Sequence, residues 1–349
     1  MAKRPVTPRE ALGSLLVDTS CYSVKPRVWV TPRSVVEGKL QYLAVEILVN
    51  DYYIKREPGR GRVAAVDEYG GRTIRIHLGK GDEEYECEIR GDNGEASWRD
   101  LEARLPDPPF PLFLVDLGFW RLHTDEEKSR LRIQLSMTLN TVRKFLWDRH
   151  LAVTSVQQGV REQLDQVMGS NKAFITSARP AELLWSLGAE EVIILRPDAP
   201  EELTARDLEK ADAFVIGGIV DLTPRKGVSR VLDRMVPWGV PKKITLRGST
   251  IGVPDRINRI VEIILKAMFV YNGDVERAVV SSMTKRDIAR RLFVEVMKRS
   301  RPSGGRRVIR ESEYYDIVRW LPVSWEDFLE AARKAHVEVV GGEGGDPGG

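Results

Sequence analysis

The densest candidate chemistry lies in ADAFVIGGIVDLTPRKGVSR (211–230), where an apolar run of strand character ends in Gly217 and Gly218 and is followed by Asp221, Arg225 and Lys226. Paired glycines allow positive φ and close backbone approach, and ligands of open α/β sheets bind beyond the C-terminal ends of the strands. A carboxylate beside such a turn, flanked by cations, suits the handling of a proton near a polyanion. Capping of the next helix or turn accounts equally well for Asp221. A second segment, KKITLRGSTIGVPDRINRI (242–260), has a strand-like KITL, a loop bounded by Gly248 and Gly252, and a helix opened by Pro254. Such a loop can offer backbone N–H and C=O groups to a flat heterocycle, or it can be a plain connection.

Both segments need a scaffold, and the pattern from residue 113 onward predicts one. FLVDLGF (113–119), LAVTSV (151–156), AFITS (173–177), EVIIL (191–195) and AFVIGGIV (213–220) read as short buried strands. Between them lie helical stretches, among them TDEEKSRLRIQLSMTLNTVRKFL from Thr124, with Thr124 and Glu127 spaced as a capping box and Leu131, Leu135, Thr138, Leu139 and Val142 as its inward stripe. Strands alternating with helices predict an α/β fold with a mainly parallel sheet. Upstream, residues 1–108 read as a β-rich accessory domain: RVAAVDEYGGRTIRIHLGKGDEEYECEIRGD alternates in polarity, with turn signals at Gly70–Gly71 and Gly79–Gly81, and KLQYLAVEILVN fits a strand or a short helix. The four prolines of LPDPPFPLF (105–113) mark a linker. Residues 109–300 form the main domain, and 301–349 a helical segment whose Trp320, Trp325 and Phe328 need burial, followed by a glycine-rich, flexible tail.

Composition narrows the function classes. Cys21 and Cys87 form no CxxC pair, so neither a disulfide scaffold nor a cysteine-built zinc site is expected, and the four histidines have no metal-ligand spacing. His77 and Cys87 read as structural. No apolar run approaches the length of a membrane span, and MAKRPVTPRE is too polar for a signal peptide; a cytoplasmic, monomeric protein is expected. There is no nucleophile elbow and no P-loop, and Phe119 and Trp120 stand where a Rossmann methyltransferase needs further glycines. Arginine supplies 38 of the 54 basic residues while Gln and Asn number 6 each, the composition of a thermophile or of a GC-rich genome. The net charge of +3 hides an asymmetry: residues 225–310 carry +14, the 311–349 segment −6 and the 106–224 segment −5. A cationic block of this kind fits a polyanion footprint or a set of solvated helix faces.

At these segments the chain resembles the tRNA position-9 purine N1-methyltransferases of the SPOUT superfamily. VIGGIVD (215–221) resembles the family's strand–Gly–Gly–x–x–Asp motif, SRLRIQLS (129–136) its Ser-Leu-x-x-Gln-Leu helix, ITSARPAELL (175–184) its Leu-Thr-x-Asp segment and INRIVEIILK (257–266) its Val-Asn-x-Val-x-Glu-Ile-Leu helix. Ala178 stands where many relatives have Asp, and the second loop is longer. The resemblance implies a knotted SPOUT-like methyltransferase domain that binds S-adenosylmethionine (AdoMet). By motif position Gly217, Gly218, Leu222, Thr223, Pro224, Arg225 and Lys226 line that site, Thr176 or Ser177 lies at its edge, and Val253 and Pro254, with Asp255, frame the adenine. Asp221 is the candidate general base, with Asp255 the other carboxylate of these loops. Gly218→Val is expected to displace the cofactor and leave the sheet folded. The partner implied is tRNA, gripped by Arg230, Lys242, Lys243, Arg247, Arg256, Arg259, Lys285, Arg286, Arg290 and Arg291, with no metal. The alternative is a non-catalytic RNA-binding or ribosome-assembly protein on the same fold.

Overall fold

The computed structural model describes residues 4–218 and 234–341. The chain divides into two compact units, residues 1–196 with 209–241 and residues 197–208 with 242–349.

The first unit opens with helix α1 (Pro8–Asp18), capped by Thr7 in a reciprocal box with Glu10. Strand β1 (Ser23–Pro26) and helix α2 (Pro32–Asn50) follow. β2 (Tyr53–Tyr69) and β3 (Arg72–Arg90) then form one long antiparallel ribbon. Its tight turn is made by Gly70 (φ 56°) and Gly71 (φ 72°), as a two-residue hairpin loop requires. With β4 (Ala96–Ser97), which precedes the short helix α3 (Trp98–Glu102), the sheet order is β1-β3-β2-β4. The region is α/β rather than β-rich. The ambiguous KLQYLAVEILVN is helical because Leu40, Leu43, Ala44, Ile47 and Leu48 fall on one face at i, i+3, i+4 spacing and are fully buried. The glycines at 79 and 81 mark no turn. They form a bulge in β3, where the partner of Gly61 is Glu83 and that of Arg62 is Leu78.

Cys21 and Cys87 are joined in a disulfide, which corrects the expectation drawn from their spacing. Cys21 ends the α1 turn and Cys87 lies on β3; both are buried in one core with Leu12, Leu16, Val24 and Ile89. The bridge closes a loop of 66 residues, worth about 4 kcal/mol of unfolded-state entropy.

The next strands in chain order are β5 (Leu112–Asp116), β6 (Leu151–Thr154), β7 (Phe174–Ile175), β8 (Val192–Leu195), β9 (Glu201–Glu202) and β10 (Ala213–Gly217). Within the first unit five of them run parallel in the order β7-β6-β5-β10-β8. Leu112, Leu114, Ala152, Ile194, Ala213 and Val215 fill one face, and Phe113 stacks on Phe214, ring centres 5.6 Å apart. Helix α4 (Asp125–Arg143) starts at the expected cap, Thr124 Oγ1 accepting from the Glu127 N–H, and its stripe of Leu131, Leu135, Thr138, Leu139 and Val142 is buried. Helices α5 (Val160–Met168) and α6 (Pro180–Ser186) complete the repeats.

In the second unit β11 (Val240–Lys243) pairs in parallel with β9. The strand expected at KITL thus lies earlier. The following helix spans Ile257–Phe269, capped by Arg256; Pro254 belongs to the loop before it. Helices Val275–Ser282 and Lys285–Arg299 lead to a three-stranded sheet of β12 (Arg301–Ser303), β13 (Arg306–Arg310) and β14 (Val337–Val340). Phe328 is fully buried, and Trp320 and Trp325 pack against Leu292, Val296, Ile309 and Ala332. Residues 342–349 lie outside the described residues. Among the described residues no helix is long and apolar enough to cross a membrane, and no group of three or more His, Cys, Asp and Glu is placed to hold a metal ion.

His150 is fully buried just before β6, with Nδ1 3.0 Å from the Pro111 carbonyl oxygen and Nε2 without a partner. Burial pushes its pKa down to about 4. The unfolded chain therefore binds the extra proton first, so stability is full above about pH 6.5 and is lost as pH falls towards 4, by up to about 3 kcal/mol. Denaturant midpoints at pH 7 and pH 4.5 should differ less in His150→Gln than in the parent protein; an equal drop would remove His150 from the acid response.

Candidate functional site

Parallel strands put their C-terminal ends on one edge, and in the first unit that edge is built around Asp116. Its register partners are Gly217 on β10 and Thr154 on β6. The side chain is fully buried. One carboxylate oxygen accepts from the Gly118 N–H at 3.0 Å and the other from Thr154 Oγ1 at 3.1 Å, while the Asp116 carbonyl accepts from the Gly218 N–H at 3.0 Å. A buried carboxylate is tolerable when its oxygens are occupied in this way. Sequence reasoning passed over Asp116 and Thr154. Asp116 was visible as a charge closing the apolar strand of VDLGFW, but its partner Thr154 lies 38 residues downstream.

This arrangement overturns the expected innocence of a side chain at Gly218. A Cβ there would run into the Asp116 carbonyl oxygen and touch Leu117 Cδ2 at 3.0 Å. The glycine is required by the approach of two strands, before any ligand is considered. Thr176 and Ser177 follow β7. Thr176 Oγ1 accepts from the Ala178 N–H at 3.1 Å and so shapes the local turn; Ser177 is exposed. Asp221, Leu222, Thr223, Pro224, Arg225, Lys226 and Arg230 lie outside the described residues.

In the second unit the candidate loop starts with a tight turn. Leu246 and Ser249 exchange backbone hydrogen bonds of 2.9 and 3.2 Å around Arg247 (φ 48°) and Gly248 (φ 70°). Gly252 (φ 83°) makes the next bend. Val253 is half-buried, Pro254 buried and Asp255 exposed. The first turn of the following helix carries Asn258, buried, whose Oδ1 has no hydrogen-bond partner among the described residues.

The cations expected to grip RNA separate by burial. Arg247, Arg256, Lys285, Arg286 and Arg290 are exposed, and Lys243 and Arg259 half-buried. Arg259 is tied to Glu262 at 2.5 Å. Burial raises the Glu262 pKa, but hydrogen bonds from Lys266 and Arg259 outweigh it and hold the group below its usual value. Lys242 is buried, bonded to Glu201 at 2.8 Å and near Asp207 at 3.4 Å; chiefly the Glu201 bond raises its pKa. Arg291 is only 1% exposed. Its pKa is lowered by burial, against the pull of Glu295 at 2.8 Å. Lys242 and Arg291 are committed inside the unit and are withdrawn from the set of phosphate contacts.

The tRNA (guanine(9)-/adenine(9)-N1)-methyltransferase of Thermococcus kodakarensis is 31% identical to this chain over 312 residues, 85% of this chain and 80% of that protein. This chain belongs to the Trm10 family of tRNA position-9 N1-methyltransferases. A sequence model of the Trm10 family, described as tRNA (guanine(9)-N(1))-methyltransferase TRM10/TRM10A, matches residues 107–234. The tRNA (adenine(9)-N1)-methyltransferase of Sulfolobus acidocaldarius is 32% identical over 261 residues, 74% of this chain and 80% of the relative. The crystal structure of Sulfolobus acidocaldarius Trm10 in complex with S-adenosylhomocysteine superposes with a TM-score of 0.68 at 24% identity, covering 94% of this chain and 99% of that one. The α/β architecture is therefore that of the Trm10 SPOUT methyltransferases.

Gly218→Ala tests the strand-end constraint in this Trm10 chain. It should lower the denaturant midpoint by an amount equivalent to about 1–3 kcal/mol, as overpacking does. An unchanged midpoint would show that the β5–β10 contact relaxes freely.

Proposed function

We propose that this chain is an AdoMet-dependent enzyme that methylates N1 of the purine at position 9 of tRNA. The observation that supports this most directly is the match over 80% of the length of two relatives that carry that activity in their names. We assign residues 109–300 to the knotted methyltransferase domain, 1–108 to an accessory domain and 301–349 to a C-terminal helical segment and tail, in a cytoplasmic monomer.

The second-unit loop has features that fit a nucleoside. Ile251, 37% exposed, and half-buried Val253 offer apolar edges, and Asn258 Oδ1, in the first turn of the next helix, is an acceptor with no partner among the described residues. Val253, Pro254 and the backbone around Gly252 would hold the adenine of AdoMet. We also assign Gly217, Gly218, Thr176 or Ser177 and residues 222–226 to cofactor binding. AdoMet supplies an electrophilic methyl group on a sulfonium. Attack needs a lone pair held in line, so positioning does most of the work. Guanine N1 carries a proton, which Asp221 would accept; adenine N1 does not, and there the same carboxylate would offset the positive charge of the methylated ring. Asp255, exposed at the mouth of the loop, is the second carboxylate.

Incubation with AdoMet and tRNA followed by nucleoside mapping should give a methylated purine at position 9. Absence of both AdoMet binding and any methylated nucleoside would favour the non-catalytic RNA-binding reading. In single-turnover experiments Asp221→Asn should slow methylation of a G9 substrate by ~10²–10⁴-fold and of an A9 substrate by less, with AdoMet affinity retained. Full activity would demote Asp221 to a turn residue and promote Asp255.

The exposed cations make binding of tRNA depend on phosphates. Each phosphate neutralised adds about 0.7–0.9 to the slope of log affinity against log salt. Reversing Lys285, Arg286 and Arg290 together should flatten that slope, whereas Arg291→Met should leave it unchanged. A flat response in the parent protein would remove the phosphate-contact reading.

A further inference from the structure

The loop that this reading gives to the adenine has backbone conformations that L-residues seldom adopt, at Arg247 and at the bend of Gly252. Something must hold it, and the second unit shows what does. From helix Lys285–Arg299, Arg291 Nη1 donates to the Ile251 carbonyl at 3.2 Å. Gly252 lies directly on that helix: a Cβ at Gly252 would stand 2.7 Å from Arg291 Cβ and 3.1 Å from the Asp287 carbonyl oxygen. The other end of the loop is tied at Arg247, whose N–H donates to Glu276 Oε1 at 2.6 Å.

Both arginines meet the same ring. The guanidinium carbon of Arg247 lies 4.9 Å from the centre of Trp320, and that of Arg291 lies 5.4 Å from it. Trp320 follows helix Ser312–Val318, its N–H bonds to the Ile317 carbonyl at 3.1 Å, and it packs against the core that contains Leu292 and Phe328. The indole Nε1 has no hydrogen-bond partner among the described residues, and the ring presents its π face to both guanidinium groups. A guanidinium buried to this extent is costly unless geometry uses it. Here Nη1 meets the loop, Nη2 meets Glu295 and the guanidinium lies by Trp320, while Nε has no partner among the described residues.

We propose that Arg291 and Trp320 are positioning residues that fix the 246–253 loop, so that the C-terminal segment sets the affinity for AdoMet without touching it. This rests on the assignment of the loop to the adenine.

The test uses the full chain with Trp320→Leu, Trp320→Phe and Arg291→Met. Calorimetry gives AdoMet affinity, filter binding gives tRNA affinity at fixed salt, and hydrogen exchange gives the protection of the Ser249, Ile251 and Val253 amides. Trp320→Leu and Arg291→Met should weaken AdoMet binding about tenfold, the size of one good cation–π contact. They should speed exchange in the loop and leave tRNA affinity within about twofold. Trp320→Phe, which keeps an aromatic face, should restore most of the affinity. Unchanged loop exchange in folded Trp320→Leu and Arg291→Met proteins overturns the proposal, as does a loss that tRNA binding and Trp320→Phe share equally, since that marks a general packing defect. If the parent protein binds no AdoMet, the functional reading fails, and the exchange data still decide whether these residues hold the loop.

Discussion

A carboxylate buried where three parallel strands end is the constraint on which the rest of the first unit depends. Asp116 accepts from Gly118 and Thr154 through its side chain and from Gly218 through its carbonyl. Each bond demands something of its donor. Gly118 must lack a side chain because a Cβ would lie 2.8 Å from the carboxylate. Thr154 must carry a hydroxyl at the last position of its strand, and Gly218 must let β10 close on β5. β10 is thereby held in register with β5 as far as Gly217 opposite Asp116.

The second unit solves a comparable problem with cations. Its loop is bent into conformations that need external support, and that support comes from a buried arginine and an indole rather than from apolar packing. The acidic character of residues 311–349 acquires a local meaning beside this. From that segment Glu313 meets Arg299 at 2.8 Å and Glu338 meets Arg306 at 3.3 Å, while Arg291 is answered from within the cationic block by Glu295 at 2.8 Å.

Much of this was legible in the sequence wherever one local rule decided the outcome. The Thr124 cap, the α4 stripe, the Gly70–Gly71 turn and the alternation of strands and helices each follow from residues within one turn or one strand. The α2 segment was ambiguous because a continuous apolar run fits a strand and a helix alike. Pairing of Cys21 with Cys87 depends on the ribbon bringing them together, which spacing cannot encode. Arg291 looked like a surface cation because its charge spoke louder than its place beside Leu292 and Val296 on the inner face of its helix. Asp116 failed for the opposite reason: its meaning comes from Thr154 and Gly218, residues remote in sequence that only the sheet makes neighbours.

The bridge between Cys21 and Cys87 also has a mechanical side. It anchors α1 to the base of the β2–β3 ribbon, close to where β1 pairs with β3. While the bond is intact, the C-terminal end of α1 stays within one disulfide of β3, however far the helix itself unwinds. The turn at Gly70 and Gly71 is not a loose end either, because Ile74 and Ile76 beside it are fully buried in the same core. The ribbon is held at both ends: the disulfide fastens its base, and beside the turn Arg9 of α1 grips Asp67 at 2.6 Å while Tyr69 lies against Gly13.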